Sequence, residues 1–367
     1  MSIERISISN RNIKREAQLH TSRILIFNYA MDENSQVFSH QIEVVNKLSH
    51  YFEEVTVLTA HRGIFKVSPN VNVICSNWVE GHKIRNVVKF YSSFFKLIFQ
   101  RRYQVIFSHM TSVQSFLASP FTRVFGIKHY LWYAHTSDSY LLRFTKLFTN
   151  GIITSTYGSC PLKGKKIYAI GQSINSKLFV NKKIDKFNFN NFIHIGRLDP
   201  SKNIELIISV ASKLKKINPE LRLKIVGSPS SKKYISYAQK VINHVKNNPD
   251  LNWVTFVGKT PRKEIPNILS QSDCFLHAFQ GSLDKSLIEA TFVGIPVVTI
   301  NNEYIKNFGS WSDKYSEDNP SFEEELYSLL NFDKDKLNGE LDRRFLVASN
   351  QHELSHWIER LLFVLNS

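Results

Sequence analysis

Two stretches of the chain hold residue types at spacings that could do chemistry. The first is Gly196-Arg197-Leu198-Asp199-Pro200-Ser201-Lys202-Asn203. Gly196 closes an apolar run of strand length and permits close backbone approach to a ligand. Arg197 and Lys202 flank a helix start and would make a chemically suitable clamp for a diphosphate. A solvated pair of surface cations would read the same way. The second stretch is DCFLHAFQGSLDKSLIEATFVGIPVVTI, residues 273–300, which predicts strand, loop, helix, strand. Gly281-Ser282 breaks the first strand, and Leu283, Leu287, Ile288 and Phe292 recur at helical spacing. Ser282 is the expected N-cap, with Asp284 as a first-turn acid. A loop feeding a helix N-terminus leaves free N–H groups that suit an anionic ligand. Glu289 stands two turns into the helix, where one carboxylate could accept hydrogen bonds from a diol. An ordinary strand–helix–strand unit with a surface acid is the competing reading. A further candidate, His135, follows the strand-like Tyr130–Tyr133, at a position where it could touch a ligand or serve packing.

The elements that must carry these residues follow one alternating pattern. Arg23–Asn28 predicts a strand, Tyr29–Phe38 a loop, Val37 to Leu48 a helix and Glu54–Thr59 a second strand. That opening is the signature of a doubly wound sheet. No Gly-rich fingerprint follows the first strand, which argues against a dinucleotide site. Further strands are expected at Gln104–Ser108, Gly151–Ser155 and Lys166–Gly171. A polar, Asn- and Lys-rich stretch, Phe179–Asn191, predicts an interdomain linker. The pattern then restarts with strands at Phe192–Gly196, Arg222–Gly227 and Val254–Val257. Helices are expected at Asn203–Ile217, Tyr234–Asn247, Ile265–Ser270 and Glu353–Leu365. The expected domains are therefore 1–183 and 184–349, with the C-terminal helix of 350–367 packing back on the first.

The chain has 367 residues, enough for two domains, and its 43% hydrophobic and 21% charged content is that of a globular protein. The net charge of +16 is unusual and calls for anionic partners. Residues 82–102 combine apolar residues with Lys83, Arg85, Lys89, Lys96, Arg101 and Arg102 in a basic amphipathic pattern. Such a helix either covers a sheet or lies on an anionic membrane. A nucleic-acid binder would line one groove with cations and interleaved aromatics, whereas these cations are spread over both domains, so no nucleic acid is expected. Cys75, Cys160 and Cys274 have no metal-ligand spacing and suggest a reducing compartment. No apolar leader and no run of about 18 apolar residues are seen, so neither a signal peptide nor a membrane-spanning helix is expected. The expected location is cytoplasmic, with peripheral attachment to the inner face of the cell membrane.

GSLDKSLIEATFVGIPVV resembles the donor-sugar motif of retaining glycosyltransferases of family 4. That motif carries one Glu, seven intervening residues, a second Glu followed by Ala, and Gly-x-Pro-Val-Val. Glu289-Ala290 and Gly294-Ile295-Pro296-Val297-Val298 match it, while the first Glu is replaced by Gly281. A bacterial subset of the family carries Gly-Ser-Leu-Asp-Lys in this place. Residues 196–203 are similar to the family's Gly-Arg-Leu-x-x-x-Lys-Asn signature. Gly171-Gln172-Ser173-Ile174-Asn175 looks like its Gly-x-Gly-Ile-Asp, with two replacements. The resemblance covers about 125–300 strongly. It implies the GT-B fold, an α/β architecture of two doubly wound Rossmann-like domains facing a central cleft.

The resemblance also implies an enzyme moving a hexose from a nucleoside-diphosphate sugar to a hydroxyl acceptor, a glycan or lipid-linked group. It places Gly196, Arg197, Lys202, Gly281, Ser282, Leu283, Asp284, Lys285 and Glu289 around the donor. His135, Arg197 and Lys202 take the catalytic roles, and Ser39, His40 and Gln41 are acceptor-side candidates. No cofactor or metal is implied, since no Asp-x-Asp pair lies between predicted strands and two cations can neutralise the diphosphate. A non-catalytic sugar-binding or scaffolding relative is the alternative, allowed by Gly281.

Overall fold

A computed structural model describes residues 22–35, 37–180, 189–312 and 320–367. Residues 1–21 and most of the expected linker lie outside the described residues. The chain divides into two compact units, one through Ser173 plus Leu354–Ser367 and the other Ile174–Glu353.

The first unit alternates strand and helix as expected. Its elements are β1 (Arg23–Met31), α1 (His40–Leu48), β2 (Glu54–Arg62), β3 (Val71–Cys75), α2 (Lys83–Gln100), β4 (Val105–His109), α3 (Ser112–Val124), β5 (Lys128–Trp132), α4 (Tyr140–Phe148), β6 (Gly151–Thr154) and β7 (Ile167–Ala169). All pairings among these strands are parallel, in the order β3-β2-β1-β4-β5-β6-β7. β4 is buried along its whole length and β1 along nearly all of it. Both faces of a parallel sheet are covered, so such strands read as continuous apolar runs. β1 and β2 run longer than their apolar cores suggest. Ala30 pairs with His61 and Met31 with Arg62, so the loop expected from Tyr29 begins later.

The second unit repeats the plan with β8 (Asn191–Ile195), α5 (Ile204–Lys215), β9 (Arg222–Val226), α6 (Ile235–Lys246), β10 (Val254–Gly258), α7 (Ile265–Ser270), β11 (Cys274–His277), α8 (Lys285–Val293) and β12 (Val297–Thr299). Helices α9 (Asn302–Phe308), α10 (Phe322–Leu330) and α11 (Lys334–His352) complete it. The order β10-β9-β8-β11-β12, all parallel, reverses direction between β8 and β11. That reversal is a topological switch point, where open sheets of this kind bind ligands beyond the carboxyl ends of their strands. The last helix, α12 (Leu354–Asn366), belongs to the first unit. Trp357, Leu361 and Leu365 bury there in the same apolar cluster as Phe107 and Trp132.

The two units meet in sequence at Ser173/Ile174 rather than after residue 183. Ile174 and Phe179 bury in the cluster of Leu283, Leu287 and Phe292, and Ile174 N–H donates to His352 O, so this segment folds with the second unit.

Each unit encloses a histidine with no access to solvent. His129 Nε2 lies 2.7 Å from Ser108 Oγ and His194 Nδ1 lies 2.8 Å from Leu276 O. Burial pushes both rings down to about 3. In the unfolded chain a histidine binds its proton below about pH 6.5, while these do not until near 3. Acid therefore favours the unfolded state progressively between those values. Each unit should lose about 2 kcal/mol of stability between pH 7 and pH 5. Urea unfolding at the two pH values checks this, and unchanged midpoints in both units would contradict it.

Candidate active site

The second unit gathers the donor-side residues around its switch point. β8 ends at Gly196, and β9 ends at Gly227 with φ +141°. A Cβ on Gly227 would lie 1.8 Å from Gly196 O, so the two strand ends touch backbone to backbone. Only glycine permits both that φ and that approach.

After Gly196 the chain passes Arg197 and Leu198 into a short 3₁₀ turn, Pro200–Lys202, and α5 begins after Asn203, which is left-handed at φ 50°. The turn aims its last side chain inward. Lys202 is 2% exposed, while the side chain of Arg197 is 45% exposed. The two cations of the sequence motif are therefore unlike: one is fixed and desolvated, the other reaches into solvent. Arg197 Nε lies 3.6 Å from Asp199 Oδ2, and Asp199 Oδ1 accepts from Ser230 N.

Lys202 Nζ forms an ion pair with the Asp284 carboxylate and sits 3.6 Å from the centre of the Phe279 ring. Asp284 is the residue before α8 and has extended backbone, so it occupies the N-cap position expected for Ser282. Its side chain does not cap the helix. It turns instead to Lys202 and to His277 Nε2, 3.0 Å away. A carboxylate only accepts, so Nε2 carries the ring proton. His277 Nδ1 is then the acceptor for Thr299 Oγ1 at 3.1 Å, and Thr299 Oγ1 in turn accepts from Asn301 N. Burial lowers the His277 pKa and keeps the ring neutral. Burial alone would raise Asp284, but Lys202 and then His277 outweigh it and hold the carboxyl well below its usual range. Burial also lowers Lys202, against the opposing pull of Asp284.

Asn301, wholly buried, shapes the loop before α8. Its Nδ2 lies 2.9 Å from Phe279 O and 3.2 Å from both Gly281 O and Ser282 O, while its Oδ1 accepts from Tyr304 N. At Gly281 a Cβ would lie 2.1 Å from Phe279 Cζ, so the ring fills the space a side chain would take. Leu283 is core, packed with Leu287, and Ser282 is buried, while Lys285 is half-buried. Glu289 is 3% exposed, and its Oε1 accepts from Arg262 Nη2 at 2.5 Å. The carboxylate expected to await a diol is thus held by a guanidinium.

The first unit holds the remaining candidates. His135 is exposed beyond β5, and its Nδ1 accepts from Ser137 N. His40 is buried, with its ring 5.4 Å from that of His109. Ser39 stands at the N-cap of α1. Gln41 is wholly buried, and its amide already bonds Ala30 N and His109 O, which gives it a structural use. Sequence reasoning passed over Arg262, Phe279, His277, Thr299 and Asn301. The signals available were a histidine ending one strand and an asparagine following the next, each where a helix is about to start. Among the described residues no group of three or more His, Cys, Asp or Glu side chains could hold a metal ion.

Residues 178–320 match the family profile described as Glycosyl transferases group 1. No curated protein matches the chain by sequence. Among solved structures, the fold is similar to HepE of Anabaena in complex with UDP and glucose. The TM-score is 0.72 and the identity 14%, covering 94% of this chain and 99% of that one. It is also similar to sucrose-phosphate synthase of Thermosynechococcus elongatus, with TM-score 0.73, identity 13%, and coverage of 93% and 97%. The lipopolysaccharide outer core galactosyltransferase WaaB in its apo form gives TM-score 0.61, identity 11%, and coverage of 90% and 98%. The architecture is GT-B, and with the matched domain the chain is an enzyme of the glycosyltransferase kind.

Asn301→Ala removes the ties to three loop carbonyls and the cap of α9 together. It should lower the stability of the second unit by about 1–3 kcal/mol. Thermal unfolding measures this, and an unchanged midpoint would mean that the loop holds itself.

Proposed function

We propose that the enzyme moves a hexose from a nucleoside-diphosphate sugar to a hydroxyl acceptor with retention of anomeric configuration, in surface-polysaccharide or glycolipid assembly. The observation that supports this best is the placement of Lys202, Arg197 and Glu289 together at the switch point of the second unit. A departing nucleoside diphosphate gains negative charge as the sugar leaves. Fixed cations that meet that charge lower the barrier, and such preorganised electrostatics usually dominate catalysis. Lys202 is held in advance and needs no reorganisation. Arg197, on a solvated side chain, closes on the phosphates when they arrive. Glu289 accepts from the ribose diol, sharing its carboxylate with Arg262. The leaving phosphate oxygen takes the proton of the attacking hydroxyl, so no separate base is assigned. The family resemblance puts His135 on the sugar side, with Ser39 and His40 toward the acceptor. Two structures of similar fold support the reading: HepE holds UDP and glucose, and WaaB is a lipopolysaccharide outer core galactosyltransferase.

A panel of UDP-, GDP-, ADP- and dTDP-sugars tests the reading, because a ligand that binds only the folded state raises the melting point. One of them should do so and should support transfer. A shift without transfer or hydrolysis of any donor would favour a non-catalytic sugar-binding protein instead. Activity should survive EDTA, since the two cations neutralise the diphosphate. Complete loss restored by Mn²⁺ or Mg²⁺ would contradict the metal-free clamp.

A peripheral place on anionic membranes is part of the proposal. No helix among the described residues is long and apolar enough to cross a membrane. α2 turns Asn86, Phe90, Phe94 and Leu97 inward, so much of its apolar face covers the sheet. Ile84, Val88 and Phe99 remain exposed, with Phe99 5.9 Å from Phe125 at the end of α3. Lys83, Arg85 and Lys96 border them in solvent, whereas Arg101 is engaged with Glu54. Each basic residue near an anionic surface contributes about 1 kcal/mol, so Lys83, Arg85 and Lys96 replaced by Gln should weaken vesicle binding about a hundredfold. Sedimentation with phosphatidylglycerol vesicles measures it. Equal binding to neutral and anionic vesicles would rule out the electrostatic part, and no binding to either would rule out the attachment.

A further inference from the structure

The sequence departs from the family motif at Gly281, which removes a carboxylate from the donor loop. The structure puts another in its neighbourhood. Asp284, three residues on, is the acid that meets Lys202. The space beside Gly281 is not open for a ligand group, because the Phe279 ring occupies it and turns its face to Lys202 Nζ. Lys202 is therefore enclosed by one aromatic face and one carboxylate, and its three ammonium protons have few directions left.

Asp284 does not sit there by chance of rotamer. An acid at a helix N-cap ordinarily bonds the free N–H groups of the first turn. Here it forgoes them, and its Oδ2 meets both Lys202 Nζ and His277 Nε2. His277 has no exposed side-chain surface, and Thr299 fixes its tautomer from behind, so the ring donates to Asp284 and to nothing else. The result is a line buried everywhere but at Asp284, Thr299–His277–Asp284–Lys202, running from β12 through β11 to the turn after β8. The charged and titratable groups facing Lys202 are Asp284 from the start of α8, Arg197 and Asp199 from the turn after β8, His277 from β11 and His194 from β8. Of these only Asp284 makes an ion pair with it, and Arg197 repels it.

We infer that Asp284 is the positioning residue of the donor site, keeping Lys202 protonated and aimed at the diphosphate through the line that ends at Thr299. This rests on the reading of Lys202 as a phosphate-binding cation. The opposite expectation is equally physical. A carboxylate near a diphosphate repels it, so if Asp284 were only a bystander its removal would tighten nucleotide binding at every pH. If it maintains the ammonium, removal leaves burial opposed only by the weaker pull of Asp199, and Lys202 loses its proton at lower pH. Binding and turnover then fail on the alkaline side first.

The experiment compares the parent with Asp284→Asn, Asp284→Glu and the near-isosteric Thr299→Val. It measures calorimetric affinity for the nucleoside diphosphate of the active donor, with kcat and KM, from pH 6 to pH 9.5. For Asp284→Asn, affinity and kcat should stay near the parent's at pH 6 and fall at least tenfold by pH 9, where the parent still binds. Asp284→Glu should restore much of the alkaline range. Thr299→Val, which loosens the far end of the line, should move the limb in the same direction by less. A loss that is equal at all pH values, or affinity equal to or tighter than the parent's throughout, overturns the inference. An alkaline limb unmoved in Thr299→Val overturns it too where Asp284→Asn fails to fold. A parent that binds no nucleoside diphosphate at any pH overturns the donor-site reading itself. A parent that binds, with variants whose pH profiles are unmoved, overturns only the role given to Asp284.

Discussion

The ion pair between Lys202 and Asp284 is the constraint around which the loops at the switch point of the second unit are built. Two charges taken out of water cost several kcal/mol each, and their attraction repays this only with good geometry and further hydrogen bonds. The surroundings supply both. Asp284 takes a second hydrogen bond from His277, and Lys202 gains the Phe279 face. Leaving one charge of such a pair alone costs about 3–5 kcal/mol, so the loop that carries Asp284 and the turn that carries Lys202 are bound to one another. Phe279, Gly281 and Ser282 must then keep one shape, and Asn301 holds it through their carbonyls. Buried ionic groups of this kind add little to stability. They fix where a charge stands, which is what a diphosphate site needs.

Glycines work on the same site from the strand ends. Gly196 and Gly227 bring β8 and β9 into backbone contact, which sets the start of the turn that aims Lys202. On the other side, Gly281 leaves room for the Phe279 ring. Arg262 adds a second ion pair at Glu289, so Asp284 and Glu289 each have a cation beside them.

Much of this was legible in the sequence. Continuous apolar runs gave the parallel strands, and the restart at Phe192 gave the second sheet. β3 and α3 were passed over for physical reasons. β3 alternates and is only half-buried, and α3 buries Gln114, Ser115, Ser119 and Thr122 and contains Pro120, so neither shows a clean apolar period. Gly196 and Lys202 lie after β8 and Glu289 lies on the helix after β11, the two strands between which the sheet order reverses. Their partners were not legible. The Asp284 side chain was expected to serve the helix, because a sequence shows an acid's position relative to its own helix and not the lysine that a crossover connection brings beside it. Arg262 and His277 escaped notice for the same reason: their significance lies in contacts across the sheet.

The proposed role of Lys202 is that of a phosphate cation held ready by the fold. Its most direct test compares the affinities of the parent and Lys202→Met for the nucleoside diphosphate of the donor and for the same nucleoside without phosphates. The account predicts that Lys202→Met binds the diphosphate at least tenfold more weakly and the nucleoside nearly as well as the parent. Undiminished diphosphate binding by Lys202→Met, or equal losses for both ligands, would contradict it.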